Sequence, residues 1–324
     1  MDEKEMQVFK DSKICFLSNF PPKECGIATF TQDLVNAMNK RFNPKVKSRV
    51  IALNDESSIY NYDSHVIFKM DKDYLEDYIN MAKRINRSDK IKIVCIQHEF
   101  GIFGGEYGSY IIPFLETIEK PVVVTFHSVL PQPDNLRKNV VKFICDKCAA
   151  TIVMAESAID ILHDDYGVPK NKIHVIRHGI PDTPLKDTGP YKKKLRLENK
   201  IVLSTFGLLS RGKGIEYMIK ALPYLVKKYP NLLYIVIGET HPVVRKREGE
   251  EYRNYLTNLV KKLDLQNNVK FYNKYLDLSE IIEYLLATDV YIMTNLERNQ
   301  IVSGTLSYAM GCGKAVVSTP NLYA

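Results

Sequence analysis

Short apolar runs alternate with amphipathic stretches along the whole chain, an order that predicts strands and helices of a parallel α/β protein. Strand candidates are Ile14 to Leu17, Arg49 to Leu53, Ile91 to Ile96, Val122 to Phe126, Thr151 to Met154 and Ile173 to Ile176. Pro181 to Lys200 then breaks the pattern, being rich in Pro, Gly, Asp and Lys and poor in apolar residues. A second series follows at Ile201 to Phe206, Leu232 to Ile237, Val269 to Tyr272, Val290 to Met293 and Ala315 to Ser318. The fold class expected is two doubly wound, Rossmann-like parallel-sheet domains, residues 1–182 and 201–324, with a linker over 183–200. The second series stops at Ala324, shortly after Thr319-Pro320. An open sheet of this kind would normally carry further helices, so the expectation is a truncated second domain.

The most informative segment is Ser204 to Lys213, where an apolar run enters a glycine-punctuated turn and then a helix. Gly207, Gly212 and Gly214 allow tight turning and close approach of a ligand. Beyond them Ile215, Met218, Ile219, Leu222, Leu225 and Val226 recur at helical spacing. Lys213 therefore falls at a helix N-terminus, where unpaired amides and the helix dipole attract anions. A solvated lysine at an ordinary turn would look the same in isolation. A second anion site is expected at Ser303, which can cap a helix with Leu306, Ala309 and Met310 on its apolar face and Gly311 and Gly313 at its end. Its first amides, Gly304 and Thr305, would converge with Lys213.

Ligands of open parallel sheets bind beyond the carboxyl ends of the strands. Four histidines fall there: His98 before Glu99, His127 before Ser128, His178 before Gly179, and His241 after Gly238-Glu239-Thr240. After the first strand, Gly26 could admit a ligand against backbone amides, and Thr29 with Gln32 reads as a capping box opening a helix.

The 324 residues have a formal net charge of +7, which could suit nucleic acid, anionic lipid or a phosphorylated ligand. The basic residues are scattered apart from Lys192 to Arg196, and no nucleic-acid-binding signature accompanies them. That run reads as a solvated tether, with Tyr191 beside it offering a peripheral membrane contact as the alternative. No stretch approaches the roughly 18 to 20 apolar residues of a membrane span, and Met-Asp-Glu-Lys-Glu is too acidic for a signal peptide. A cytoplasmic protein is expected. The six cysteines lack a framework spacing, and Cys145 and Cys148 have no second pair or nearby histidine, so reduced thiols are expected.

Four segments together resemble the GT-B retaining glycosyltransferases of the large group 1 family (family 4). Cys25 to Phe30 is similar to the glycine loop of the acceptor domain, and Arg177-His178-Gly179-Ile180-Pro181 to the stretch before the domain crossing. Phe206 to Gly214 resembles the donor loop, in which the lysine binds the nucleotide diphosphate. Ser303 to Thr319 resembles the donor-binding helix and the next strand. The family's two glutamates of that region fall on Gln300 and Tyr308, and its donor-loop arginine on Leu208, leaving Arg211 to supply a second positive charge.

The resemblance implies two domains across a cleft and transfer of a hexose from a nucleoside diphosphate sugar to a hydroxyl acceptor, with retention. The acceptor would be a saccharide, a glycolipid or another hydroxyl compound, and neither cofactor nor metal is expected. Lys213, Arg211 and the Gly304 and Thr305 amides would stabilise the leaving diphosphate, and His127 would bond the donor sugar. Gly207, His241, Gln300, Ser303 and Tyr308 would complete the donor site, with Gly26, His98, Glu99 and His178 on the acceptor side. A GT-B nucleotide-sugar epimerase, for which Glu99 and Glu239 would be the acid-base groups, and a non-catalytic nucleotide-sugar-binding protein are the alternatives.

Overall fold

Apolar residues fill both faces of the inner strands, as parallel sheets with helices on each side require. A computed structural model describes residues 13–42, 47–55, 60–183 and 187–324. The chain forms two compact units, Met1–Arg177 and His178–Ala324.

In the first unit the order is β1 (Lys13–Ser18), α1 (Gly26–Arg41), β2 (Arg49–Asn54), β3 (Val66–Asp71), α2 (Leu75–Asn86), β4 (Ile91–His98), α3 (Ile111–Thr117), β5 (Val122–Phe126), α4 (Asn135–Lys147), β6 (Ala150–Val153), α5 (Ser157–Asp160) and β7 (Ile173–Val175). Among the described residues the sheet has the parallel order β3-β2-β1-β4-β5-β6-β7. Strand order reverses beside β1 and β4, the place where an open sheet leaves a crevice at its carboxyl edge.

The second unit runs α6 (Gly189–Lys194), β8 (Ile201–Phe206), α7 (Ile215–Lys228), β9 (Leu232–Ile237), α8 (Pro242–Glu248), α9 (Glu251–Lys262), β10 (Val269–Tyr272), α10 (Leu278–Ala287), β11 (Val290–Met293), α11 (Gly304–Gly311) and β12 (Ala315–Ser318). Its strands take the parallel order β10-β9-β8-β11-β12, reversing beside β8 and β11. One core cluster joins β8 and β9 to α7 and α9 through Leu203, Ile219, Tyr234 and Leu256. Another covers the opposite face through Phe206, Ile235, Leu286 and Ala309.

Four expectations are corrected. The strand β3 was not expected: it lies at a sheet edge, where Ile67 and Lys69 are exposed, so its apolar content is diluted. Helix α1 begins at Gly26, with Cys25 as its cap residue and no side-chain cap bond. Thr29 thus sits inside the first turn, its N–H bonded to the Cys25 carbonyl at 3.1 Å, and no Thr29/Gln32 capping box forms. Part of the proposed tether is helix α6. Tyr191 and Leu195 pack on the core, while Lys192 pairs with Asp289 at 2.6 Å and Lys194 with Glu283 at 2.5 Å. Residues 184–186 of that segment lie outside the described residues. Finally, Met310 is 63% exposed; the buried residues of α11 are Leu306, Ser307, Tyr308 and Ala309.

Cys145 and Cys148 are free thiols, and burial pushes both up to about 12. Among the described residues no helix is long and apolar enough to cross a membrane.

Candidate functional site

In the second unit the ends of β8 and β9 are laced together. Gly207 N–H donates to the Ile237 carbonyl at 3.0 Å, Leu209 N–H to Glu239 at 2.8 Å, and His241 N–H back to Leu209 at 2.9 Å. Gly207 and Gly238 make this possible with φ of +122° and +135°, a region that favours glycine. A Cβ at Gly207 would lie 3.2 Å from Thr305 Cγ2 and 3.7 Å from Lys213 Nζ. Lys213 and the first turn of α11 are therefore brought to the same glycine, as the sequence predicts.

Each partner is fixed from behind. The Lys213 carbonyl accepts the Thr294 hydroxyl at 2.8 Å, and Leu296 N–H reaches the Gly212 carbonyl at 2.9 Å, which ties the turn to the segment after β11. Burial holds the Lys213 ammonium below its ordinary pKa. At α11 the Ser303 hydroxyl accepts Leu306 N–H at 3.3 Å, and the Thr305 side chain bonds the buried Tyr291 hydroxyl. Helix geometry leaves the first amides, Gly304 and Thr305, without intrahelical acceptors. A half-buried lysine and a helix N-terminus beside one glycine turn are the elements from which an anion site is built.

The remaining donor-side expectations are placed as follows. His241 caps α8, its Nδ1 accepting Val243 N–H at 3.2 Å. Burial first, and then the charge of Lys213, lower its pKa. His178, expected on the acceptor side, belongs to the second unit. A Cβ at Gly304 would lie 3.1 Å from its Nε2. Its Nδ1 is 2.7 Å from the Gly179 carbonyl, and because a carbonyl only accepts, that nitrogen carries the proton. Burial lowers its pKa. Tyr308 is buried between the rings of Phe206 and His178, with centroids 6.3 and 6.2 Å away. The Gln300 amide braces its own loop, accepting from Asn295 and donating to the Val302 carbonyl, both at 2.8 Å.

Two donor-loop expectations change. The Arg211 guanidinium lies 2.7 Å from Glu251 and 3.7 Å from Glu248, over the ring of Tyr252. Its charge is already balanced by two carboxylates. The first amide of α7, Ile215 N–H, is taken by the Tyr252 hydroxyl at 3.1 Å. The first amide of α7 is thus already taken, whereas helix geometry leaves the Gly304 and Thr305 amides of α11 without intrahelical acceptors.

In the first unit His127 and Gln97 meet at the carboxyl ends of β5 and β4, with Nε2 2.9 Å from the Gln97 side-chain oxygen. Phe30 of α1 packs edge-on to the imidazole at 4.8 Å, so the helix opened by Gly26 and His127 are neighbours. A Cβ at Gly26 would meet nothing within 4 Å. Glu99 accepts the Ser128 hydroxyl and, at 3.0 Å, Phe100 N–H; burial nevertheless raises its pKa. His98 does not line a surface. Its ring is fully buried, stacked on Phe103 and close to Phe126, and neither ring nitrogen has a hydrogen-bond partner. Desolvation lowers its pKa to about 3.

Gln97, Tyr291 and Thr294 were not singled out from the sequence. Each sits within two residues of the carboxyl end of a strand, the one signal that could have flagged it. Among the described residues no group of three His, Cys, Asp or Glu is placed to hold a metal ion.

Two parallel-sheet α/β units in succession, the second with a lysine and a helix terminus beyond its strand ends, define the GT-B class of fold. Residues 25–183 match the family Glycosyltransferase Family 4, and residues 187–323 match Glycosyl transferases group 1. The chain belongs to the group 1 glycosyltransferases. It is similar to an uncharacterized glycosyltransferase of Methanocaldococcus jannaschii, 28% identical over 56% of this chain and 44% of the relative. It is also similar to mannosylfructose-phosphate synthase of Agrobacterium fabrum, 25% identical over 53% of this chain and 38% of that protein. The chain thus spans less than half the length of the curated relatives it matches. The crystal structure of Anabaena HepE in complex with UDP and glucose has the same fold, with a TM-score of 0.71 and 16% identity over 96% of this chain and 82% of that one.

Proposed function

We propose that the chain forms part of a glycosyltransferase that moves a hexose from a nucleoside diphosphate sugar to a hydroxyl acceptor, with retention at the anomeric carbon. The observation that carries this reading is the meeting of Lys213 Nζ and Thr305 at Gly207. As the anomeric carbon–oxygen bond to phosphate breaks, negative charge grows on the diphosphate. The Lys213 ammonium and the Gly304 and Thr305 amides are groups oriented in advance to stabilise it. The acceptor oxygen bonds the anomeric carbon, and its proton passes to the departing phosphate. Protein groups are assigned the charge stabilisation, with no metal ion required. His127, oriented by Gln97, is assigned to the sugar, and Gly26 to the acceptor. Because HepE is described with UDP, uridine is the base to try first.

An epimerase draws little support: Glu239 pairs with Arg245 at 2.9 Å, and Glu99 is occupied by Ser128. The test is thermal stabilisation by a panel of nucleoside diphosphates and their sugar conjugates, followed by product analysis with and without acceptors. A ligand that binds only the native state raises its stability by mass action. The expected result is a shift with one base that is lost in Lys213→Ala. No shift with any nucleotide would overturn the reading, and sugar isomerised without an acceptor would favour the epimerase.

A further inference from the structure

Helix α7 buries Ile215, Met218, Ile219 and Leu222. At 3.6 residues per turn its opposite face carries Tyr217, Lys220, Tyr224, Lys227 and Lys228. Tyr224 is 83% exposed and Tyr217 55%, large values for ring side chains on the outside of a folded unit. The helix has one carboxylate, Glu216, which accepts from the Tyr252 hydroxyl. The outer face is therefore two phenol rings among three ammonium groups, with no acid to neutralise them. Lys220 Nζ lies 5.4 Å from the Tyr217 ring, and Lys228 Nζ 5.4 Å from that of Tyr229. Helix α9, which packs beside α7 through the shared core, adds the exposed Tyr255, Lys261 and Lys262.

We propose that this outer face of α7 docks peripherally on an anionic lipid bilayer. Tyrosine suits a membrane–water boundary because its ring can enter the headgroup layer while its hydroxyl stays wet. Lysine stems cover apolar surface and keep their charge at the phosphates. The cations here are all lysines, point charges that respond to a diffuse anionic surface, whereas arginine's planar fork suits individual phosphates read in fixed geometry. An all-lysine face with exposed tyrosines favours a lipid surface over nucleic acid. The inference is independent of the Lys213 reading.

The test is flotation of the full chain with vesicles of phosphatidylcholine alone and with phosphatidylglycerol added, at low and high salt. Binding is expected only to the anionic vesicles and should weaken with salt. Lys220→Glu/Lys228→Glu and Tyr217→Ser/Tyr224→Ser should each lower partitioning by about tenfold or more. Lys142→Glu/Lys147→Glu on α4 should match it only in net charge and leave partitioning within about twofold. Circular dichroism and an unchanged unfolding temperature show that the α7 variants fold. Absence of binding to anionic vesicles, or binding that the α7 variants keep, overturns the proposal. So does binding of mixed-sequence RNA, or self-association through these residues, in place of vesicle binding.

Discussion

Gly238 packs backbone to backbone on Gly207, so that a Cβ at Gly238 would stand 2.2 Å from the Gly207 carbonyl oxygen. With φ of +135°, Gly238→Ala combines a clash with a strained backbone and should cost on the order of 2–4 kcal/mol. Gly26→Ala is the contrast. Its Cβ meets nothing within 4 Å, so the fold should be unchanged within about 1 kcal/mol, while turnover falls if an acceptor approaches that backbone. Urea unfolding of both variants, with activity measured on Gly26→Ala, checks the pair.

Lys213 should make nucleotide affinity depend on pH. Its pKa is lowered by burial, so the free protein loses this charge at lower pH than an exposed lysine would. A bound diphosphate favours the charged form. Affinity therefore falls as pH rises through that lowered pKa, with proton uptake on binding. Over the same window the free protein gains stability, because the unfolded chain holds the extra proton. Calorimetric titration with UDP in buffers of different ionisation enthalpy should show the uptake, and Lys213→Met should lose both affinity and slope.

His98 should make the first unit acid-sensitive. With its pKa lowered from 6.5 to about 3 by desolvation, the unfolded chain takes up a proton that the native ring refuses. This contribution to stability is present above about pH 6.5 and is lost progressively as pH falls towards 3, at roughly 1.4 kcal/mol per pH unit. His98→Phe should remove about 2 kcal/mol of the difference in unfolding free energy between pH 7 and pH 5.

Arg253 braces the loop after β9. It donates to the Gly238 carbonyl at 2.7 Å and to Glu250 at 3.2 Å, and Glu250 also accepts the Thr240 hydroxyl at 2.5 Å. Because Glu250 remains 37% exposed, Arg253→Met should cost about 2–3 kcal/mol, less than breaking a fully buried pair. Nucleotide affinity should fall with it, and Arg253→Lys should recover part of both. Thermal unfolding with and without UDP separates the two effects.

Much of this was legible in local pattern. Runs such as Val202 to Phe206 and Leu232 to Ile237 are apolar because strands buried on both faces must be, and they locate β8 and β9 without any knowledge of their partners. The places of Lys213 and Ser303 were readable because a glycine turn and a helix cap are each built from a few consecutive residues. Where solvent dilutes the pattern, as in β3 with exposed Ile67 and Lys69, the signal fails. In Pro181 to Lys200, a polar composition concealed a helix held by Lys192 and Asp289.

The sequence by itself determined the alternation of strands and helices, the two α/β units and the glycine turn carrying Lys213, because periodicity and backbone freedom are properties of neighbouring residues. Only the tertiary structure decided which polar groups were already occupied. Arg211 is balanced by Glu251, 40 positions away; Ile215 N–H is taken by Tyr252, 37 away; and Gln97 orients His127 across 30. Such pairings follow from how whole elements pack, since a charge or hydrogen bond acts on what is near in space, and no local pattern records that distance.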